Sequence, residues 1–275
     1  MSNSANDNPV LNPNYQYKAV KAVMRGNVFE ITLNRPERLN TFNAEMQKDF
    51  TALQMQIERN PEIRCITLFA EGERAFGAGA DLSWFEQDWK MPEFRVHYRW
   101  IHDFFDVLER VEIPVIAAVF GTCACGGLEL AMAADFRIAA EDSRFGFTEG
   151  NINLIPGSGG CSRLVKMIGP GWTKELVMAG EFIDAQRALQ IGLTTRVVAK
   201  DKLVEEARAL ADKLVKKAPQ AIGAAKAVIN ACQSIDATSG RILERMAQSA
   251  LILSQDHKEG VKAFREKRPP QYQGR

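Results

Sequence analysis

No stretch of the 275-residue chain reaches the roughly 18 apolar residues that a membrane-spanning helix needs. Neither sign of charge dominates. Thirty-five basic residues face 34 acidic ones, a net charge of +1, so the whole-chain balance argues for neither nucleic acid nor an anionic membrane as a partner. Histidine is scarce: His97, His102 and His257 are the three copies, and none stands at ligand spacing from Cys123-x-Cys125. That pair lacks a second pair, so small apolar packing is expected there and no metal site. Five cysteines, an odd number, and no visible secretory leader point to reduced thiols and a cytoplasmic protein. No repeat of fixed period appears. The first residues are polar, Asn-rich and free of Arg until Arg25, which predicts a disordered tail over 1–17 and no transit peptide. The final Gln-Gly-Arg is not a peroxisomal address.

What is present is a large apolar fraction, 46%, enough for one sizeable core. Lys18 to Val23 and Val28 to Leu33 read as two strands around the turn Arg25-Gly26-Asn27. Met46, Phe50, Leu53 and Ile57 form one helical stripe, capped by Asn43 and ended by Asn60-Pro61. Ile63 to Phe69 is a β-branched apolar run and so a buried strand. The segment from Trp84 to Phe105 holds three of the four tryptophans, as a satellite core or as pocket walls. Helices are expected at Ser162 to Ile168, from Pro170 to Gly180, and at Asp184 to Gln190; Thr195 to Val198 is a strand. Beyond Asp201, expected as a helix cap, the texture is helical. The chain therefore divides into the tail, an α/β core over 18–200 and a helical region over 201–275.

The central stretch is Pro114 to Glu149. An apolar run, Val115 to Val119, leads to Gly126-Gly127 and a short helix from Leu128. A helix start leaves N–H groups unpaired, and the Gly126 N–H is sterically open to an oxygen that becomes negative in a transition state. The Gly79-Ala80 loop can supply a second. Ordinary turn punctuation is the alternative for both. Glu129 lies in the first turn of this helix, which favours its ionised form and suits it to deprotonate water. Glu149 follows Phe145 and Phe147, where desolvation raises a carboxyl pKa and suits it to give a proton. Otherwise both are surface glutamates. Lys258 to Arg275 is basic, either a solvated tail or a contact for a polyanion.

These residues resemble the enoyl-CoA hydratase/isomerase (crotonase) superfamily over about 18 to 270. The matching stretches are Leu33-Asn34-Arg35-Pro36 with Asn40, Ala75 to Asp81, Pro114 to Val119, Gly126 to Ala131, Phe145-Gly146 with Glu149, and Ile155-Pro156-Gly157 with Gly159-Gly160. The resemblance implies a spiral of ββα units with a C-terminal helical trimerisation region, assembling as trimers or as dimers of trimers. It implies reversible syn addition of water to a 2-enoyl-CoA, as in fatty acid metabolism. Ala80 and Gly126 would hold the thioester oxygen; Glu129 and Glu149 would be the paired acids. Coenzyme A would be bound near Ala78, with Phe264 and Lys267 of a neighbouring subunit contributing, and would be part of the substrate, with no further cofactor.

This chain departs from the family pattern at Ser83, Phe120, Cys125, Thr148 and Asn153. Cys125 replaces the first of three usual glycines, and Thr148 stands where Pro is frequent. Other activities in the family stay open: a carnityl-CoA-type dehydratase, suggested by Glu266 to Pro270, an enoyl-CoA isomerase, or a non-catalytic CoA- or RNA-binding member. Outside it, Gly77-x-Gly79 is followed by Leu82, which breaks a dinucleotide fingerprint, and Pro156 spoils a serine-hydrolase elbow around Ser158.

Overall fold

The apolar runs of the sequence become neighbours in one sheet. In the computed structural model, which describes residues 15–274, β1 (Val20–Arg25) and β2 (Val28–Leu33) form an antiparallel pair. β3 (Cys65–Ala70), β5 (Val115–Val119), β7 (Phe136–Ala140) and β10 (Arg196–Val198) continue the sheet in parallel, in the order β1-β2-β3-β5-β7-β10. β5 is buried along its whole length, as a parallel strand covered on both faces must be. One face carries Ile31, Leu68 and Val119 and packs against α1 (Ala44–Arg59) and α3 (Met91–Arg110). The other carries Cys65, Ile116 and Ile138 and is covered by Leu203, Ala207, Leu210 and Ala211 of α7 (Leu203–Leu214).

A second sheet is made of much shorter strands. β4 (Ala75–Gly77), β6 (Thr122–Ala124) and β8 (Arg144–Gly146) run parallel, and β9 (Ile183–Asp184) closes the edge antiparallel to β8. The helices α2 (Leu82–Phe85) and α4 (Gly126–Met132) follow β4 and β6. α5 (Ser162–Met178) bends at Gly169, where φ is 75°, so the helix expected from Pro170 continues α5 after a kink. α6 (Ala185–Gln190) precedes β10, and α8 (Pro219–Cys232), α9 (Ala237–Leu251) and α10 (Gln255–Glu266) complete the chain.

Three expectations change. Residues 1–14 of the expected tail lie outside the described residues, but Tyr15 and Tyr17 are held: their hydroxyls donate to Asp49 (2.6 Å) and Gln56 (2.7 Å) on α1. A boundary at residue 200 does not separate two cores, because α7 is the cover of the main sheet. Asp201 caps no helix; it lies in a 3-10 turn, Lys200–Lys202, and α7 starts after it. Among the described residues, no helix is long and apolar enough to cross a membrane, and no group of three or more His, Cys, Asp or Glu is placed to hold a metal ion.

Candidate active site

The C-terminal ends of β4, β6 and β8 lie side by side, so the segments that follow them meet at one edge. These segments are Ala78 to Asp81, the start of α4, and Thr148-Glu149. Their approach is close enough to require glycine at two places. A Cβ on Gly127 would fall 2.2 Å from the Gly77 carbonyl oxygen, so α4 could not seat on β4 with any side chain there. Gly79 has φ +95°, and a Cβ on it would lie 2.6 Å from Cys125 Cβ and 3.1 Å from the Gly126 nitrogen. Only the glycine backbone fits that gap.

Consequently Ala80 and Gly126 line one cavity of about 260 Å³. Flanking hydrogen bonds fix the first loop: Phe42 N–H donates to Gly79 O (2.8 Å) and Asp81 N–H to Phe42 O (2.9 Å). Between them the Ala80 N–H donates to no protein acceptor among the described residues, and neither does the Gly126 N–H at the first position of α4. Glu129, Glu149, Tyr98 and Ser158 line the same cavity, with Phe42, Phe85, Ile101, Ile152, Leu154 and Ile155 as its apolar walls. The aromatic segment is thus both things the sequence left open. Trp84 is buried beside Trp89 and Phe94, while Tyr98, stacked on Trp84 and Phe94, reaches the cavity.

The expected ionisation of Glu129 is corrected. Its side chain is buried, 3% exposed, and desolvation pushes its pKa up to about 7. The Ser158 and Gly160 N–H groups donate to Oε1 at 2.6 and 2.9 Å and act against the rise; the nearby Glu149 adds to it. A seven-residue helix cannot offset burial through its dipole. Burial raises Glu149 as well, and its Oε2 is buried without a hydrogen-bond partner.

Ala78 also lines the cavity, with its N–H donated to Leu39 O at 3.1 Å. Phe264 and Lys267 do not reach it within one chain. Phe264 is 87% exposed beside a separate groove with Leu251 and Tyr272, and Lys267 is the left-handed cap of α10. Sequence reasoning missed the two amides that grip Glu129. The signal was present in Pro156-Gly157-Ser158-Gly159-Gly160, read there as a tight loop.

A six-stranded and a four-stranded sheet, both mainly parallel, with helices between successive strand pairs, define a crotonase-like α/β fold. The family model described as enoyl-CoA hydratase/isomerase matches residues 24–275, and the chain belongs to that family. It is 36% identical over 243 residues to the short-chain-enoyl-CoA hydratase of Clostridium acetobutylicum, covering 88% of this chain and 93% of that one. It is 34% identical over 236 residues to the crotonyl-CoA hydratase of Syntrophomonas wolfei, covering 86% and 90%. The crystal structure of an enoyl-CoA hydratase from Bacillus anthracis superposes with a TM-score of 0.89 at 35% identity, over 94% of this chain and 100% of that one.

Proposed function

We propose that the chain reversibly adds water to a 2-enoyl-CoA thioester to give the 3-hydroxyacyl-CoA. The observation that carries the reading is the convergence of two undonated main-chain amides and two carboxyls on one small cavity. The thioester oxygen accepts from the Ala80 and Gly126 N–H groups, which stabilise the enolate as charge builds on that oxygen. Glu129, whose pKa of about 7 matches a base working near neutrality, takes a proton from water while the oxygen attacks the β-carbon. Glu149, whose pKa burial raises, gives its proton to Cα. The proton on Glu129 then exchanges back to Glu149 through solvent, so one water is consumed in total. With both acids acting on one face of the double bond, the addition is syn.

Coenzyme A enters as part of the substrate, and the reading calls for no separate cofactor. The Ala78 carbonyl would accept from the adenine; the Ala78 N–H is already donated to Leu39 O. Phe264 and Lys267 would close on the nucleotide from a neighbouring copy in a trimer. Incubation with crotonyl-CoA should remove the enoyl-thioester absorbance and yield 3-hydroxybutyryl-CoA. E129Q and E149Q should each lower kcat by about 100-fold or more. Double-bond migration without water uptake, or no turnover of any enoyl-CoA, rejects the reading.

A further inference from the structure

Arg163 stands in the first turn of α5, where the helix dipole disfavours a positive charge. Its side chain is only 11% exposed, so the charge needs partners close by. Three are present. Nη2 donates to Asp106 Oδ1 at 2.5 Å and Nε to Glu109 Oε2 at 2.9 Å, two acids one turn apart on α3. Nη1 donates to the Ser158 carbonyl at 2.8 Å. That carbonyl belongs to the loop whose Ser158 and Gly160 N–H groups donate to Glu129 Oε1, at 2.6 and 2.9 Å. Gly159 between them has φ +107°, and a Cβ on it would fall 2.0 Å from Nη1, so the guanidinium can lie against the loop only because that residue has no side chain. Gly159 O in turn accepts the Arg163 N–H at 2.8 Å. A line of hydrogen bonds thus runs from α3 through Arg163 and the loop to Glu129.

We propose that Arg163 is a positioning residue for Glu129, fixing the Ser158–Gly160 loop so that both of its amides meet one carboxyl oxygen. With Oε1 so occupied, Oε2 takes no protein donor among the described residues and is the oxygen left to receive a proton from water. Without the guanidinium the Ser158 carbonyl loses its donor, the loop gains freedom, and the two hydrogen bonds that favour the carboxylate weaken. The positive charge of Arg163 acts on Glu129 in the same direction as those amides. Removing Arg163 should therefore raise Glu129 beyond the level it already has. The other charged or titratable groups along this line are Tyr98, His102, Asp106 and Glu109 on α3, Glu149 after β8 and Cys161 ahead of α5. All of them stay in place when Arg163 is replaced. Arg163 also lowers His102, which is followed by its own imidazole resonance.

The catalytic part of this inference rests on the hydratase reading; the titration does not. R163M, R163K, E129Q and R163M/E129Q are compared with the wild type. The Glu129 carboxyl, at about 7 in the wild type, is titrated by 13C NMR without substrate. Its midpoint should rise by roughly one unit in R163M and by about half of that in R163K, which keeps the charge and one donor. With crotonyl-CoA, R163M should lose about 10-fold in kcat with little change in KM. The acid limb of the pH profile should move up with the Glu129 midpoint, because the base must be ionised to act. In the E129Q background the same substitution should cost under about two-fold, since no carboxylate is left to position. A purely structural role would cost the same factor in both backgrounds. Asp106 and Glu109 are partly exposed, so R163M should fold without their partner; where its Tm shows that it does not, the titration of R163K decides. Superimposed Glu129 titrations in the wild type and the Arg163 variants, or an equal loss of kcat in both backgrounds, overturn the inference. If the wild type turns over no enoyl-CoA, the hydratase reading fails and the titration still decides the role of Arg163.

Discussion

Glu129 is the residue at which stability and chemistry oppose each other. Its two amide donors would favour a carboxylate, yet desolvation is the larger effect and sets its pKa near 7. The sign of the pH dependence follows. The folded-state pKa lies above the ordinary 4.5, so the shift favours the folded protein fully below about pH 4.5, and the benefit is lost as pH rises through 7. Above that point the folded chain carries a buried charge, a cost on the order of 3 kcal/mol. Glutamine keeps an oxygen for the Ser158 and Gly160 amides and does not ionise. E129Q should therefore be more stable than wild type by about that amount at pH 8, with the gap closing near pH 4.5. Urea unfolding across pH 4.5–8 measures it; a gap independent of pH would mean that Glu129 ionises normally. The sequence could not supply this sign. It shows Glu129 in a first turn, but the loop that covers it comes some thirty residues later.

Among the elements, α8 is tied to the core by Lys226 and by Asn230, whose Nδ2 donates to Glu109 O at 3.0 Å. Lys226 is buried, with Nζ 2.9 Å from Asp135 Oδ2, and it donates to Leu108 O (2.7 Å) and Ile113 O (2.9 Å). Asp135 Oδ2 also accepts the Val115 N–H at 2.8 Å. One ammonium thus joins α8 to the end of α3, the start of β5 and the turn after α4. Burial raises Asp135 and lowers Lys226, so each needs the other. K226M should lose about 3–5 kcal/mol by stranding the carboxylate, and D135N/K226M should recover most of it. Equal denaturation midpoints for K226M and wild type would show that the latch bears no stability. This tie spans more than a hundred residues and leaves no local pattern. Local patterns did reveal β1, β2, β3, β5, α1 and α4, each long enough or apolar enough to show a period. The strands β4, β6, β8 and β9 have two or three residues each, too few for any period to register, although their ends assemble the site. The candidate acids Glu129 and Glu149 were legible because glycines and acids there interrupt an apolar run; the short strand ends that gather them at one cavity were not.

At the scale of the whole molecule, the C-terminal helices leave apolar surface uncovered. Ile229 on α8, Met246 on α9, Leu253 after it and Phe264 on α10 are 63%, 64%, 77% and 87% exposed. Scattered apolar residues need no explanation, but four large ones on and between the last three helices are more than a closed monomer would present. Burying this face against a second copy would remove apolar area from water, and a stable interface needs about 800 Å² per partner. Under the proposed function the arrangement would bear on substrate binding. Phe264 and Lys267 lie away from their own chain's cavity, so only a neighbour could bring them to the nucleotide end of the substrate. We therefore expect a trimer, or a dimer of trimers, with the KM for the CoA thioester dependent on assembly. Sedimentation at micromolar concentration should give three or six times the chain mass. M246E/L253E should shift it toward monomer and raise KM about ten-fold, and the loss should reach KM before the fold fails, since both residues lie outside the core. A wild-type monomer at that concentration with full activity would leave the exposed helices without this role and would remove Phe264 and Lys267 from the binding site.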